Sequence, residues 1–468
     1  MTNSISSQRL LTDIWHRGQL PASALEHVQL SGSDPVFASS FAVGAAAQTG
    51  IAAAALAACE VGHQRGQARR PVSVDMTHAA LECTGWFSVD GRVPNIWDVF
   101  SGLYAAQDGW VRIHANFEHH REGALRLLGL NPQTATRADA EGAMRNWTAL
   151  AFETAAARAG LVASAFRSFD EWDASEQGQA IAALPLLRIE KIGDAPPIPL
   201  PPLSPDARPL QGVRVLDLTR ILAGPVCGRT LSNHGADVML VNSPHLPNIE
   251  SIADTSRGKW SCYADLKTTE GKSALLSMAK QAHVFVQGYR PGALDALGVG
   301  LRDLTKVRPG LVFVSLSAYA NEGPWGQRRG FDSLVQTAMG FNYAEMHAAK
   351  KATPRPLPMP ILDYATGHLM AFAVASALVR QQQEGGSWHV QLSLAQTGHW
   401  LRGLGRVPAA FTLPASDRAP FVETTSSGFG SLCAFRHSAV VGGYEPKTAN
   451  GSTYRPSMPP GTHPPRWP

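Results

Sequence analysis

The chain has 468 residues, of which 44% are hydrophobic and only 17% charged, with a formal net charge of +4. That length suffices for two or three domains and a sizeable core, and a weak, dispersed positive charge with no Lys/Arg run excludes an electrostatic nucleic-acid footprint. The five cysteines form no C-x-x-C pair, and their odd number reads as reduced thiols of a cytoplasmic protein.

In chain order, the opening MTNSISSQRL lacks the apolar core of a signal peptide. The run from Phe41 to Ala58 is mostly alanine and is broken by Gln48 and two glycines. It reads as a buried helix of a soluble protein, because a membrane span needs about 20 strongly apolar residues. Thr49-Gly50 is taken as the opening of that helix, and VSVDM (72–76) as the strand after it. YAAQDGWVRI (104–113) reads as a β element turning at Gln107-Asp108-Gly109 in an otherwise helical first half. Pro196 to Pro209 forms a semi-rigid polyproline-type linker.

Beyond the linker, VRVLDL (213–218), DVMLV (237–241), HVFVQ (283–287) and LVFVSLS (311–317) are short apolar strands. Between them lie helices over Ala223–His234, ended by Gly235, and over Thr269–Ala282, capped by Thr268 or Thr269. Strands alternating with helices predict a Rossmann-like, doubly wound parallel α/β sheet, with its ligand at the carboxyl ends of the strands. The first turn, TRILAGPVCG, has no G-x-G-x-x-G pattern, so a dinucleotide fingerprint is absent. Thr366-Gly367, an apolar helix and HVQLSL (389–394) repeat the helix–loop–strand unit that starts at Thr49-Gly50. The tail from about Val407 is rich in Pro, Gly and Ser and reads as irregular.

The stretches VRVLDLTRILAGP, GADVMLV, RGKWSCYADLKTTEGK, YRPGALDALGVG, GPWGQRRGFDSLVQTAMG and LDYATG occur in this order across residues 212–395. Together they resemble the class III CoA-transferases, the group of formyl-CoA and carnitine CoA-transferases. The first half resembles the later part of the same family, through residues 49–76, YAAQDGWVRI and RSFDEWDASEQG. The resemblance implies a permuted or partly duplicated order: a small-domain-like α+β half (1–195), a linker (196–210), a Rossmann-like CoA-binding and catalytic half (211–405) and a tail (406–468). A degenerate fused pair is the other reading.

The resemblance implies CoA transfer from an acyl-CoA to a carboxylate through an aspartyl-CoA thioester, with acyl-CoA as substrate and no permanently bound cofactor. Asp363 in LDYATG matches the family nucleophile. On local sequence alone it stands near a helix N-terminus, where free N–H groups and the helix dipole stabilise an anion, and a simple cap fits equally. Asp332 matches the position where the racemase branch carries a catalytic acid. Phe331 replaces the histidine before it, and LRDLTKV (301–307) offers no histidine for the opposite face, whereas racemisation needs a base and an acid on two faces. A capping or buried hydrogen-bonded role for Asp332 therefore stands beside the catalytic one.

Ile221, Leu222, Ala223, Lys267, Gly288, Tyr289, Arg290 and Arg329 match family positions that contact CoA; Lys and Arg suit phosphates and Tyr suits adenine. The chain departs from the family at Asn242, Ser243 and Ala296, where an acid and two basic contacts are expected, and a glycine-rich loop over the site is not evident. His114, His119 and His120 in HANFEHH lack the spacing of a metal set and read as packing or surface residues, so no metal is expected. The family also implies an interlocked homodimer, with neither membrane nor nucleic acid as partner. The alternatives are an acyl-CoA racemase or isomerase working through Asp332 and a non-catalytic CoA-binding subunit.

Overall fold

Seven strands form the main sheet of the computed structural model, which describes residues 6–408, 411, 413, 416–443 and 455–468. Across the sheet they run Trp260–Tyr263, Asp237–Asn242, Arg214–Leu218, Val284–Gln287, Val312–Ser317, Ser387–Ser393 and Arg188–Gly193. The first six are parallel. In order of appearance they read 3-2-1-4-5-6, the doubly wound arrangement whose direction reverses between the first and fourth strands. Apart from Trp260 and Tyr263 on the edge strand, their β-branched and aromatic residues are buried on both faces, as a sheet covered by helices on each side requires. Arg188–Gly193 comes from the first half and closes the edge antiparallel, pairing Val390 with Ile189.

The repeat takes physical form as two parallel strand pairs, each with a long helix before its second strand. Val28–Ser31 pairs with Val72–Asp75 around the helix Val43–Gln64. Val312–Ser317 pairs with Ser387–Ser393, preceded by the helix Ile361–Glu384. In both units the second strand runs straight into a helix capped by its own last residue: Asp75 accepts from the His78 amide and Ser393 from the Gln396 amide. The two long helices pack on each other more extensively than any other pair of elements. Both are long and apolar enough to pass for membrane spans, and both are buried inside the protein.

Two expectations need correction. Thr49-Gly50 and Thr366-Gly367 do not open the long helices, which begin at Val43 and Ile361. In the second, Pro360 fixes the entry dihedral and favours the start there, so Asp363 falls inside the first turn and not ahead of the helix. The tail is also not irregular throughout. Val422–Ser427 and Gly430–Phe435 form a hairpin that adds to Phe87–Val89, and Ala439–Val441 pairs with Val72–Asp75. Ser427-Gly428-Phe429-Gly430 supplies the turn, with Gly430 at φ +127°. Residues 444–454 of the tail lie outside the described residues.

The α+β part of the first half has its own core. Gly102–Ala105, Trp110–Ile113 and Ala163–Ala165 form an antiparallel sheet, covered by Glu118–Leu127, Arg137–Met144 and Ala149–Arg158. Along Trp110–Ile113 the side chains alternate, and Arg112, with His114 just beyond the strand end, projects toward the catalytic half. The proline-rich segment is strapped to the end of the helix Val43–Gln64 by Arg65, which donates to the carbonyls of Pro201 (2.9 Å) and Pro209 (3.2 Å).

Candidate active site

Near the end of the strand Arg214–Leu218 stands Asp217, which is fully buried against Lys259 (2.8 Å). Lys259 also donates to the Pro225 carbonyl (2.8 Å), and Asp217 accepts from the Thr219 amide (3.1 Å). This lock holds the next turn in an unusual shape. Ile221 has φ +78°, a left-handed conformation that a β-branched residue adopts only when its surroundings impose it. Leu222 follows as N-cap, and Ala223 starts the helix Ala223–Asn233 with its N–H unclaimed within the helix.

The helix Ile361–Glu384 reaches this turn because residue 367 is glycine. A Cβ there would lie 2.5 Å from the Ala223 carbonyl oxygen. One turn earlier stands Asp363, near enough to the Ala223 amide for that N–H to favour its ionised form. The Asp363 amide in turn donates to Asp332 Oδ2 (3.0 Å), and the Gln336 side-chain amide donates to Oδ1 of the same carboxylate. Asp332 therefore caps the helix that carries Asp363 while opening its own, Asp332–Met339. The capping, hydrogen-bonded reading of Asp332 matches this geometry.

Both acids are buried, and both line one cavity of about 380 Å³. Burial raises the Asp363 carboxyl well above the usual range, and the neighbouring Asp332 charge raises it further. Burial also raises Asp332, to about 6, against the lowering effect of its hydrogen bonds and of Arg112. Two like acids in one buried site titrate as a coupled pair.

Ile221 and Leu222 line the same cavity, with apolar walls from Phe117, Phe331, Leu357 and Met359. The other expected CoA residues lie elsewhere. Lys267 and Tyr289 line a second cavity of about 160 Å³ with Asn242, Ser243 and His245, beyond the carboxyl ends of the first and second strands. Tyr289 and Arg290 line a third, of about 190 Å³. Gly288 sits between Thr219 and Leu316. Arg329 donates to His120 Nε2 (3.1 Å) and to the Gly160 carbonyl (3.2 Å), tying the two halves together; burial and the Arg290 charge lower its pKa.

Arg112, His114, Trp97 and Asn116 of the first half complete the wall of the large cavity. His114 stacks on Phe331 with ring centroids 3.9 Å apart, which brings into the cavity of Asp332 an imidazole that residues 301–307 do not supply. Burial and the Arg112 charge push its pKa down to about 3, so it is neutral at physiological pH. HANFEHH was the available signal, but three histidines at that spacing suggest only a metal or a packing role. Among the described residues no group of His, Cys, Asp or Glu could hold a metal ion.

Residues 210–405 match the model of CoA-transferase family III. The probable fatty acyl-CoA transferase Rv3272 of Mycobacterium tuberculosis is 32% identical over 272 residues, covering 53% of this chain and 68% of that protein. The chain belongs to CoA-transferase family III. A second family III relative, the succinate–glutarate CoA-transferase of Agrobacterium fabrum, is 30% identical over 205 residues, 40% of this chain and 51% of that protein. The crystal structure of Rv3272 superposes with a TM-score of 0.39 at 32% identity, over 42% of this chain and 58% of the other. The family III chain thus spans about two thirds of one relative and about half of the other.

Proposed function

We propose that this family III enzyme moves CoA between an acyl-CoA and a carboxylic acid, with Asp363 as the covalent carrier. The observation that carries the reading is the Asp363 carboxyl at the wall of the large cavity, near the Ala223 N–H. An Asp363 oxygen attacks the thioester carbonyl carbon, the C–S bond breaks, and CoA leaves as thiolate with the electron pair. The thiolate then attacks the aspartyl carbonyl of the mixed anhydride and expels the first acid as its carboxylate. The acceptor carboxylate reverses both steps: it displaces thiolate from the aspartyl-CoA thioester, and the thiolate takes the new acyl group, restoring Asp363. Each step builds an oxyanion, and the first-turn N–H groups of Ala223–Asn233 are donors available to it. Lys267, Tyr289, Arg290 and Arg329 are the proposed contacts for the nucleotide end of CoA.

The four fully buried cysteines and the reduced state of all five support a cytoplasmic setting. The exposed apolar side chains Val93, Trp97 and Val99 support a homodimer. A second reading, proton transfer at the α carbon, draws on His114 and Asp332 in one cavity. Burial and the Arg112 charge make His114 a weak base, which favours transfer. The test is to incubate the protein with an acyl-CoA, trap with hydroxylamine or borohydride, and map the adduct by mass spectrometry. Transfer predicts modification at Asp363 and none in Asp363→Asn. Exchange of the α proton into deuterated solvent without an adduct would sink it.

A further inference from the structure

Arg112 is 9% exposed, and what it exposes faces the cavity. Its Nε has no hydrogen-bond partner, and the side chain makes no ion pair with any described carboxylate. It lines the same cavity as Asp363, with its Cζ 5.5 Å from the Trp97 ring centroid. A buried cation with no hydrogen-bonded anion is costly, and such a residue persists where a ligand supplies the missing bonds. CoA phosphates do not fit this role: the long pantetheine arm separates them from the thioester that must lie at Asp363.

We propose that Arg112 holds a carboxylate that does not react, and so makes a dicarboxylic acid, or its mono-CoA thioester, the preferred substrate. The inference rests on Asp363 being the CoA carrier. The reacting carboxylate loses its charge each time it becomes a thioester, so a cation paired to it would be abandoned half-way through each cycle. A remote carboxylate keeps its charge through both half-reactions and keeps Arg112 paired throughout. In the same cavity Phe117, Phe331, Leu357 and Met359 offer apolar surface suited to a short methylene chain. Arg112 reaches Asp332 electrostatically, and burial takes its pKa down only to about 10, so it remains a cation at neutral pH.

The experiment measures kcat/KM with acetyl-CoA as donor and acids matched in carbon number: succinate against butyrate, glutarate against pentanoate, adipate against hexanoate. The expected result is a preference of about 100-fold for the diacid at one or more lengths. Arg112→Met should lose that factor with the diacid and less than tenfold with the monoacid, and Arg112→Lys should fall between. Preference for the monoacid at every length, or equal losses for both acids in Arg112→Met, would overturn the proposal. Arg112→Met removes an unpaired buried cation, so it should fold, and its melting temperature and CoA binding check this. If no acid is turned over and no aspartyl adduct forms, the Asp363 reading fails. Arg112 is then judged by binding: the diacid must raise the melting temperature of the unmodified protein and not of Arg112→Met, and equal responses reject it.

Discussion

Replacing Gly367 by alanine tests whether the approach of the helix Ile361–Glu384 to the first turn of Ala223–Asn233 sets up the chemistry. The new Cβ would lie 2.5 Å from the Ala223 carbonyl oxygen and 2.8 Å from Val226 Cβ and Cγ1, where ordinary contact begins at 3.4 Å. The obstruction is backbone and a β-branched side chain, so the helix must withdraw by about 1 Å. Overpacking of this kind costs about 1–3 kcal/mol. Alanine returns about 1 kcal/mol over glycine in a helix interior. The net destabilisation is therefore at most about 2 kcal/mol, and the variant folds. Asp363 stands one turn before the substitution, and a misplacement of ~1 Å at reacting groups costs roughly 100-fold in rate. Gly50→Ala in the first unit is the control: its Cβ would lie 3.3 Å from His368 Cβ and 3.7 Å from the Ala365 oxygen. It should change stability by less than about 1 kcal/mol and leave kcat within about twofold. Urea unfolding and chromatographic measurement of CoA exchange give both quantities. A Gly367→Ala enzyme that loses stability but keeps kcat would refute the reasoning, as would an equal loss of kcat in Gly50→Ala.

The transfer rate should rise with pH, with its acid limb above the ordinary carboxylate range, because the nucleophile must be ionised and burial and the Asp332 charge raise the Asp363 carboxyl. Asp332→Asn keeps an acceptor for the Asp363 amide and removes the neighbouring charge, so the acid limb of the pH–rate profile should move to lower pH; loss of all activity would instead make Asp332 an acid–base group. The same residue makes a stability prediction. Its folded pKa is raised above the ordinary 3.8, so its contribution is fully present below about pH 4 and is lost as pH rises through about 6. Asp332→Asn should therefore gain stability relative to the unmodified protein as pH is raised from about 4 to about 7, which urea unfolding across that range checks. Lys259→Met strands the fully buried Asp217 and should cost about 3–5 kcal/mol. Adding Asp217→Leu should recover much of that loss, and a double variant no more stable than the single one would count against the pair.

Much of the sheet was legible in the sequence, because four of its six parallel strands are short apolar runs buried inside the protein; the half-exposed Trp260–Tyr263 was not. VRVLDL and LVFVSLS show this directly, and Thr268 caps its helix by accepting from the Gly271 amide, as its position suggests. The helix starts at Val43 and Ile361 were not legible, because an all-apolar helix has no amphipathic edge to mark its first turn. The hairpin Val422–Phe435 was hidden by composition: its exposed faces carry Glu, Thr and Ser, and it is held by pairing to Phe87–Val89, far away in the chain.

By itself the sequence determined the strand–helix alternation, the two-fold use of one unit, and Asp363 as an acid near the start of the later unit's helix. Those are local properties, carried by side-chain period, caps and motif order. Only the tertiary structure decided that Asp332 caps the helix of Asp363, that Gly367 admits that helix to the Ala223 turn, and that Arg112 and His114 face the same cavity from the other half of the chain. The reason is physical. A carboxylate's proton affinity and a guanidinium's want of a partner depend on what surrounds them within a few ångströms, and the chain brings those surroundings together only when its two halves close on one another.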